Sequence, residues 1–372
     1  MLILLPVFLF LCLYGALLLF YRRGWNRLPS FSAPADFVPS KTVSVLIPVR
    51  NEAANIARLL TCIQQQNYPR HLLQVIVIDD QSTDNTREIA ATFSGVEVIV
   101  LDNNVTFAHK KRAIEAGIAA ARGEWIVTTD GDCYMGPDWL RCMMAFQQKT
   151  NALYMAAPVV IDAGPTLVQK FQQMDFAVLQ GVTGVSVSER LHAMSNGANQ
   201  AYTRSIFAQV NGYAGVDNIA SGDDMLLLQK INDLHPDGVV YLRSGEAIVY
   251  TAPVSNWRAF FQQRIRWASK ARYYTEKKIW LVMLTVYGVN LGFLLLLVGG
   301  IFDYRLLMAA FVLLLCKTCV EWPFVHRVFR FFNLRFHFAR YLLLQPLHII
   351  YTVSSGFLGL IGKYEWKGRK AN

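Results

Sequence analysis

Short apolar runs alternate with amphipathic segments through the first half of this chain. Four runs of strand length cover residues 43–48, 75–78, 96–101 and 125–129. The segments between them, such as residues 55–66 with Ile56, Leu59, Leu60 and Ile63, carry apolar residues at helical spacing. Alternating strands and helices predict an α/β fold, with a mostly parallel sheet covered by helices on both faces.

Four longer apolar stretches surround this region, at residues 1–20, 281–302, 306–325 and 341–362. Each is long enough to cross a bilayer as a helix. The first lacks a basic start and a cleavage site, so it predicts an anchor and not a removable signal peptide. A 53% share of hydrophobic residues and a mean hydropathy of +0.28 agree with a membrane-embedded portion beside one large domain.

Charge is distributed unevenly along the chain. From Asn256 onward there are 17 Lys and Arg against 4 Asp and Glu, whereas residues 1–255 hold 19 basic and 22 acidic residues. Because the positive charge lies beside the apolar stretches, it favours an anionic membrane leaflet or a lipid phosphate over nucleic acid. Arg22, Arg23 and Arg27 follow the first stretch and place residue 22 onward in the cytoplasm by the positive-inside rule. Six dispersed cysteines agree with a reducing compartment.

Carboxylates follow two of the predicted strands. Asp79-Asp80 ends the second, and Asp130-Gly131-Asp132 ends the fourth. Strand ends of open α/β sheets face the crevice in which such sheets bind ligands. Asp130 and Asp132, one residue apart, offer hard oxygen ligands to Mg²⁺ or Mn²⁺. The alternative for an isolated triplet is a solvated turn.

Two more motifs lie further along the chain. Gly222-Asp223-Asp224 precedes a helical run at 225–231, where acidic residues also complement the helix dipole. Residues 256–278 predict a basic, aromatic helix in the membrane interface, and this segment contains Gln263-x-x-Arg266-Trp267. Residues 327–338 are a second segment of this kind.

In this order, the Asp pair, the D-x-D, the late acidic pair and Q-x-x-R-W resemble the family 2 glycosyltransferases with a GT-A fold. The resemblance implies inverting transfer of a sugar from a nucleoside-diphosphate sugar, with a UDP-linked donor expected. It makes Asp224 the catalytic base, Asp223 the residue that orients it or tunes its pKa, and Asp130 and Asp132 the ligands of a divalent cation. Substrate contacts are implied for Pro48, Glu52, Asp79, Asp80, Lys110, Asp130, Asn199, Gln263, Arg266 and Trp267.

Some of these assignments depart from the family pattern or have alternatives. Lys110 matches the lysine of a G-K-x-x-A element, but His109 replaces the glycine, and Lys111 and Arg112 are neighbouring cations. Asn199 belongs to the segment 195–199, which resembles the acceptor-side loop of the family. The Q-x-x-R-W motif closes the donor site in the family, whereas its simpler interpretation is an interfacial helix with an aromatic anchor.

Three functions fit the motifs. The enzyme could glycosylate a membrane lipid once, as ceramide glucosyltransferases do, or polymerise and export a polysaccharide, as cellulose, chitin and hyaluronan synthases do. About three C-terminal spans are few for an export path, which favours a lipid acceptor. The third hypothesis is an inactive membrane scaffold, against which the complete carboxylate series argues.

The predicted organisation is that of an inner-membrane, multi-pass protein with a cytoplasmic catalytic domain. Its parts are an anchor (1–21), a linker (22–40), a GT-A domain (41–255), an interfacial helix (256–280), a membrane region (281–363) and a basic tail (364–372). Four full spans would put the tail outside, against the positive-inside rule, so residues 341–362 with Pro346 are predicted to be re-entrant. Lys317 and Glu321, four residues apart in one stretch, are expected to pair inside the bundle, with contact to an acceptor head group as the alternative.

Overall fold

The structure is a computed structural model and divides into two compact units. It describes residues 4–102, 109–217, 219, 222–274, 276–361, 364–366 and 369–371. The sheet unit comprises Leu28–Asp162 and Ser186–Ala252, and the helical unit comprises Met1–Arg27, Ala163–Val185 and Pro253–Asn372. The sequence predicts one continuous domain at 41–255, whereas Ala163–Val185 clusters with the membrane-type helices.

Helices and strands alternate through the sheet unit as the apolar pattern predicts. The helices of the chain are α1 (Leu4–Arg27), α2 (Ile56–Gln64), α3 (Thr86–Ala91), α4 (His109–Ala120), α5 (Trp139–Thr150), α6 (Leu167–Ser188), α7 (Arg204–Gln209), α8 (Asp223–Leu234), α9 (Trp257–Ala268), α10 (Lys277–Gly299), α11 (Tyr304–Phe331) and α12 (Phe338–Ile361). The strands are β1 (Val43–Val49), β2 (Leu73–Asp79), β3 (Val96–Val100), β4 (Trp125–Thr128), β5 (Cys133–Met135), β6 (Tyr154–Ala156), β7 (Val159–Ile161), β8 (Gln200–Thr203), β9 (Val239–Tyr241), β10 (Val249–Thr251), β11 (Tyr364–Trp366) and β12 (Arg369–Ala371).

The main sheet has seven strands in the order β3-β2-β1-β4-β8-β6-β9. Strands β3, β2, β1 and β4 run parallel, as do β6 and β9, while β8 is antiparallel to both of its neighbours. The prediction of a mostly parallel α/β sheet is therefore confirmed. Strands β5, β10 and β7 form a second, three-stranded sheet.

Apolar burial explains the centre of the sheet. Leu46 and Ile47 of β1 and Ile76 and Val77 of β2 are completely buried, as expected for strands covered on both faces. Residue pairing runs from Val43 opposite Leu73 to Val49 opposite Asp79, so both strands end at the same edge. That edge carries the predicted acidic residues.

Four helices among the described residues are long and apolar enough to cross a bilayer: α1, α10, α11 and α12. All four belong to the helical unit. Helix α1 continues to Arg27, so the first residues of the predicted linker 22–40 are helical. The interfacial segment 256–280 is helix α9, a 3₁₀ turn at Ser269–Tyr273 and the start of α10.

One expectation about the helical unit is wrong, and another stays a prediction. Residues 341–361, predicted to be re-entrant, lie within α12, which continues through Pro346 and is about 36 Å long at 1.5 Å per residue. This helix is long enough for a full span, and the path of the segment through the membrane stays a prediction. The second interfacial segment, 327–338, is not one helix, since α11 ends at Phe331 and α12 begins at Phe338. The 22 residues of α6 form a further long helix. The backbone of the predicted tail pairs as strands β11 and β12, and the side chains of residues 362–372 lie outside the described part.

A buried polar network connects three helices of the helical unit. The Lys317 ammonium donates to Glu321 Oε1 at 2.6 Å and to Gln345 Oε1 at 2.7 Å. Glu321 also accepts from the Tyr341 hydroxyl at 3.0 Å and from the Tyr14 hydroxyl. Lys317 and Glu321 therefore pair inside the bundle as predicted, with their charges satisfied by protein groups.

Candidate functional site

The carboxyl ends of three parallel strands meet at one edge of the main sheet. Asp80 N donates to Val49 O at 2.9 Å, and Thr129 N donates to Leu46 O at 3.2 Å. These bonds join the segment after β2 and the segment after β4 to β1. As a result, Asp79, Asp80 and the D-x-D start from the same edge, where α/β sheets bind ligands.

The loops after β1 and β2 are held together by hydrogen bonds. Arg50 Nη1 donates to the carbonyl oxygens of Asp80 (2.6 Å) and Gln81 (3.0 Å). The buried Asp79 carboxylate accepts from Ser82 N at 3.2 and 3.3 Å, so it shapes its own turn. Glu52 accepts from the Asn55 side chain at 2.8 Å. Hydrogen bonds therefore hold together the two loops that are expected to contact the nucleoside.

The D-x-D segment packs directly on the first of these loops. A Cβ on Gly131 would lie 2.9 Å from both Glu52 Cγ and Val49 Cγ1, so a larger residue between the two aspartates would push the loops apart. Asp132 Oδ2 accepts from Thr251 Oγ1 at 3.2 Å, which connects the motif to β10. Asp130 and Asp132 are both partly exposed.

Lys110 connects the D-x-D to the late acidic pair. Its Nζ lies 2.6 Å from Asp130 Oδ1 and 3.3 Å from Asp223 Oδ2. Burial alone would lower the pKa of Lys110, but the charges of Asp130 and Asp223 outweigh burial and raise that pKa above its usual value. The lysine is therefore a fixed positive charge between two acidic segments that are far apart in the sequence.

The late acidic pair forms the first turn of α8. Gly222, with φ of +82°, precedes it in a backbone conformation that glycine adopts readily. Asp224 Oδ1 accepts from Met225 N at 2.8 Å, and Asp224 Oδ2 accepts from Gly197 N at 3.2 Å. Two backbone donors thus fix the orientation of the Asp224 carboxylate.

The segment 195–199 lies against this pair. A Cβ on Gly197 would be 2.9 Å from both Asp223 Oδ2 and Lys110 Nζ, so only a glycine leaves these groups undisturbed. Thr128 Oγ1, at the end of β4, donates to Gly197 O at 2.7 Å. The structure therefore brings Lys110, Asp130, Asp223, Asp224 and this segment together.

Asn199 does not fit a direct substrate contact. Its side chain is completely buried, its Oδ1 accepts from Trp139 Nε1 at 2.9 Å, and its Nδ2 donates to Pro158 O (2.7 Å) and Ala247 O (2.8 Å). Both amide hydrogens are used within the protein. Asn199 positions the segment behind Gly197, and the assignment as a substrate ligand is corrected accordingly.

Q-x-x-R-W belongs to the helical unit, on α9. Gln263, Arg266 and Trp267 are each partly exposed. Arg264, inside the motif, is buried and forms an ion pair with Asp175 of α6 at 2.8 Å. The Arg264 guanidinium carbon lies 4.2 Å from the centre of the Trp267 ring, in a cation–π contact.

Asp175 and Arg264 were not identified from the sequence. Asp175 also accepts from Tyr351 and lies 3.3 Å from His348 Nδ1. Burial alone would raise the pKa of Asp175, but the charge of Arg264 and the contacts with His348 and Tyr351 together outweigh burial and lower that pKa. The signal that could have found Asp175 is a single acidic residue in the otherwise uncharged stretch 171–188.

Part of the chain matches a known protein family. Residues 44–210 match the family described as Glycosyl transferase family 2. This region is a family 2 glycosyltransferase domain. The match covers the Asp pair, Lys110, the D-x-D and the segment 195–199, and it ends before Asp223.

Several glycosyltransferases resemble the chain. Over 265 residues it is 27% identical to a probable glycosyltransferase, YdaM, of Bacillus subtilis, which covers 69% of this chain and 61% of that protein. Over 107 residues it is 36% identical to the undecaprenyl-phosphate 4-deoxy-4-formamido-L-arabinose transferase of Aeromonas hydrophila, covering 26% of this chain and 31% of that protein. The chain thus spans less than two thirds of either relative.

A solved structure resembles the chain over most of its length. The mannosyltransferase PcManGT from Pyrobaculum calidifontis, in complex with GDP-Man and Mn²⁺, has a TM-score of 0.56 over 97% of this chain and 99% of that chain, at 19% identity. At this identity the likeness establishes the fold. The glycosyltransferase domain therefore has the GT-A fold that the sequence predicted.

The D-x-D side chains fit a divalent cation that shares its ligands with a substrate. Asp130 and Asp132 are hard oxygen donors, and both are partly exposed. Within the described ranges no group of three Asp, Glu, His or Cys side chains could hold a metal without other ligands. Diphosphate oxygens and water would supply the remaining positions. The Lys110 ammonium at 2.6 Å from Asp130 is a protein cation already bound by one of the two carboxylates.

Proposed function

We propose that this protein is an inverting glycosyltransferase that moves one sugar from a nucleoside-diphosphate sugar to a lipid acceptor. The observation that carries the proposal is the meeting of Lys110, Asp130, Asp223 and Asp224 at the carboxyl edge of a family 2 domain. A carboxylate pair that can hold a divalent cation suits a diphosphate donor. Transfer to a hydroxyl also needs a separate base, and both are available here.

In the proposed reaction, the acceptor oxygen attacks the anomeric carbon while the bond from that carbon to the diphosphate breaks. The acceptor hydroxyl gives its proton to Asp224. The diphosphate leaves from the opposite face, which inverts the anomeric configuration. Asp224 suits this role because two backbone N–H groups hold its carboxylate in place. Asp223 accompanies it and is paired with Lys110.

Asp130 and Asp132 would hold the divalent cation, and when bound this ion supplies positive charge that stabilises the leaving diphosphate. The structure of PcManGT in complex with GDP-Man and Mn²⁺ supports a cation of this kind. Pro48, Glu52, Asp79 and Asp80 lie in or beside the loops expected to bind the nucleoside. Hydrogen bonds join these loops to each other, and such prior ordering would lower the entropy cost of binding the donor.

The lipid acceptor is proposed from the rest of the chain. Four helices suited to a bilayer accompany the glycosyltransferase domain. The Aeromonas relative carries undecaprenyl-phosphate in its name, so at least one similar enzyme uses a lipid. Gln263, Arg266 and Trp267, on a basic aromatic helix, would meet the acceptor at the membrane surface. Three arginines after residue 21 support a cytoplasmic position of the catalytic domain at an inner membrane, by the positive-inside rule.

The test is the chemical form of the product. Full-length protein in membranes of the source organism would be given radiolabelled UDP-sugars and GDP-sugars, one at a time, with Mg²⁺ or Mn²⁺. We expect label in organic-extractable, protease-resistant material of low mass, formed about 10²–10⁴ times more slowly by Asp224→Asn. Label in long, water-soluble chains that a polysaccharide hydrolase degrades would establish a synthase. Absence of both transfer and donor hydrolysis with every donor would support an inactive scaffold.

A further inference from the structure

Lys110 contacts two carboxylates of the protein, which binding of a donor phosphate alone would not require. Its ammonium lies between the D-x-D and the late acidic pair, 2.6 Å from Asp130 and 3.3 Å from Asp223. The contact with Asp130 is a short, charge-assisted hydrogen bond, and the contact with Asp223 is a longer ion pair. The lysine therefore neutralises one of the two carboxylates that the proposed cation requires.

The surroundings of Lys110 hold it in this position. On one side, Gly197 approaches so closely that a Cβ there would be 2.9 Å from Lys110 Nζ. Gly197 is itself tied to Thr128 and Asp224 by hydrogen bonds of 2.7 and 3.2 Å. The lysine side chain remains 25% exposed and that of Asp130 35% exposed. Solvent and a ligand can therefore reach the pair.

We infer that Lys110 is an internal counter-cation, which occupies the D-x-D carboxylate until metal and nucleotide arrive together. The inference rests on the proposed function. A divalent cation alone must displace the ammonium from Asp130 and also suffers its repulsion. A metal–diphosphate complex brings phosphate oxygens, which give the displaced ammonium a new partner. Free metal would thus bind weakly, and the metal–nucleotide complex would bind well.

This arrangement predicts opposite effects of one substitution on two ligands. In Lys110→Met, Asp130 and Asp223 lose their shared cation, so Mn²⁺ alone should bind about three to ten times more tightly. The gain is limited because the pair is partly exposed and solvent screens it. The same variant should bind Mn²⁺ with UDP or GDP about tenfold more weakly, because the diphosphate loses a cationic partner. If the role of Lys110 were only structural, its replacement would weaken the binding of Mn²⁺ alone and also the binding of Mn²⁺ with nucleotide.

The experiment measures Mn²⁺ binding by the loss of the free-ion electron paramagnetic resonance signal, using the full-length protein in nanodiscs. Lys110→Arg keeps the charge and should bind Mn²⁺ alone about as weakly as wild type. Lys41→Met is the matched control, since it removes a lysine paired with Glu124 at 2.8 Å elsewhere in the sheet unit, and should leave Mn²⁺ binding unchanged. Raising the salt concentration should reduce the difference between wild type and Lys110→Met.

Two results would overturn the inference. If Lys110→Met binds Mn²⁺ alone no more tightly than wild type, while Asp132→Ala abolishes binding, the metal site stands and the counter-cation role is wrong. If neither wild type nor any variant binds Mn²⁺, with or without nucleotide, the inference fails together with the metal part of the proposed function. Neither readout uses a sugar donor or an acceptor, so failure of the transfer assay is a separate outcome. The melting temperature of each variant, within a few degrees of wild type, excludes misfolding as the cause.

Discussion

Asp224→Asn changes the proposed base while keeping the size of the side chain. In the folded protein the two carboxylate oxygens accept from Met225 N at 2.8 Å and from Gly197 N at 3.2 Å. An asparagine keeps one acceptor oxygen and turns an NH₂ group toward the other donor. One hydrogen bond is therefore lost and one backbone donor is left unsatisfied, which costs about 1–3 kcal/mol of unfolding free energy. A domain with a stability of about 5–15 kcal/mol remains folded after such a loss.

The catalytic effect should be much larger than the effect on stability. An amide does not accept the proton of an attacking hydroxyl, and a general base contributes about 10²–10⁴ to a rate. We therefore expect kcat to fall by a factor of about 10²–10⁴, which corresponds to about 3–5 kcal/mol of transition-state stabilisation. Affinity for the metal–nucleotide complex should change by less than about threefold, because Asp224 is not proposed as a donor ligand.

The assay compares initial rates of labelled transfer, binding of the metal–nucleotide complex and the melting temperature. Asp233→Asn is the matched control, because this exposed carboxylate lies on the same helix α8 and should have no effect on any of the three. Transfer within tenfold of wild type would refute the role of Asp224 as the base. A loss of nucleotide binding in parallel with activity would refute the reasoning as well, since it would point to disruption of the site.

Three further predictions concern the metal site and the two buried charge pairs. Asp132→Ala should abolish the dependence of the rate on Mn²⁺ and weaken donor binding, and an unchanged wild-type rate in EDTA would contradict the metal role. Asp175→Asn should lower the unfolding free energy by about 3–5 kcal/mol, because it leaves Arg264 buried without its counter-charge. Because the pKa of Asp175 is lowered in the folded protein, the ionised carboxylate stabilises the fold at pH values above its unfolded pKa of about 3.9. This stabilisation is lost as the pH falls below that value, so the melting temperatures of wild type and Asp175→Asn should converge in acid. Lys317→Met should be strongly destabilising alone and partly rescued by Glu321→Gln, which thermal unfolding in detergent would measure; equal stability of the single and double variants would contradict the pairing.

The parts of the structure that the sequence predicted depend on local spacing. Helix α2 buries Ile56, Leu59, Leu60 and Ile63, the face that the helical period marks. The strands before Asp79 and before the D-x-D were equally predictable, because short apolar runs rich in β-branched residues are typical of buried strands. Parallel pairing then brings their ends together without further information.

The errors occur where distant contacts decide the outcome. Pro346 suggested an interruption of the last apolar stretch, yet α12 continues through it, because neighbouring helices stabilise a helix that an isolated segment would break. Asn199 belongs to a loop of small polar residues that suits substrate binding. Its burial depends on Trp139, Pro158 and Ala247, which no spacing rule connects to it.

Lys110 shows most clearly how distant contacts decide a role, because the sequence places several cations side by side at this point. Successive residues of a helix point about 100° apart, so only one of two adjacent lysines can face the sheet edge. With His109 in place of the family's glycine, the sequence did not fix the rotation of α4. In the structure Lys111 is buried and donates to backbone carbonyls, including that of Ile219 at 2.9 Å, whereas Lys110 turns to Asp130 and Asp223. Contacts with residues far along the chain therefore decide between the two lysines. Lys111 packs against backbone carbonyls that precede α8, and Lys110 pairs with Asp223 and with Asp130, one of the two carboxylates proposed to bind the metal.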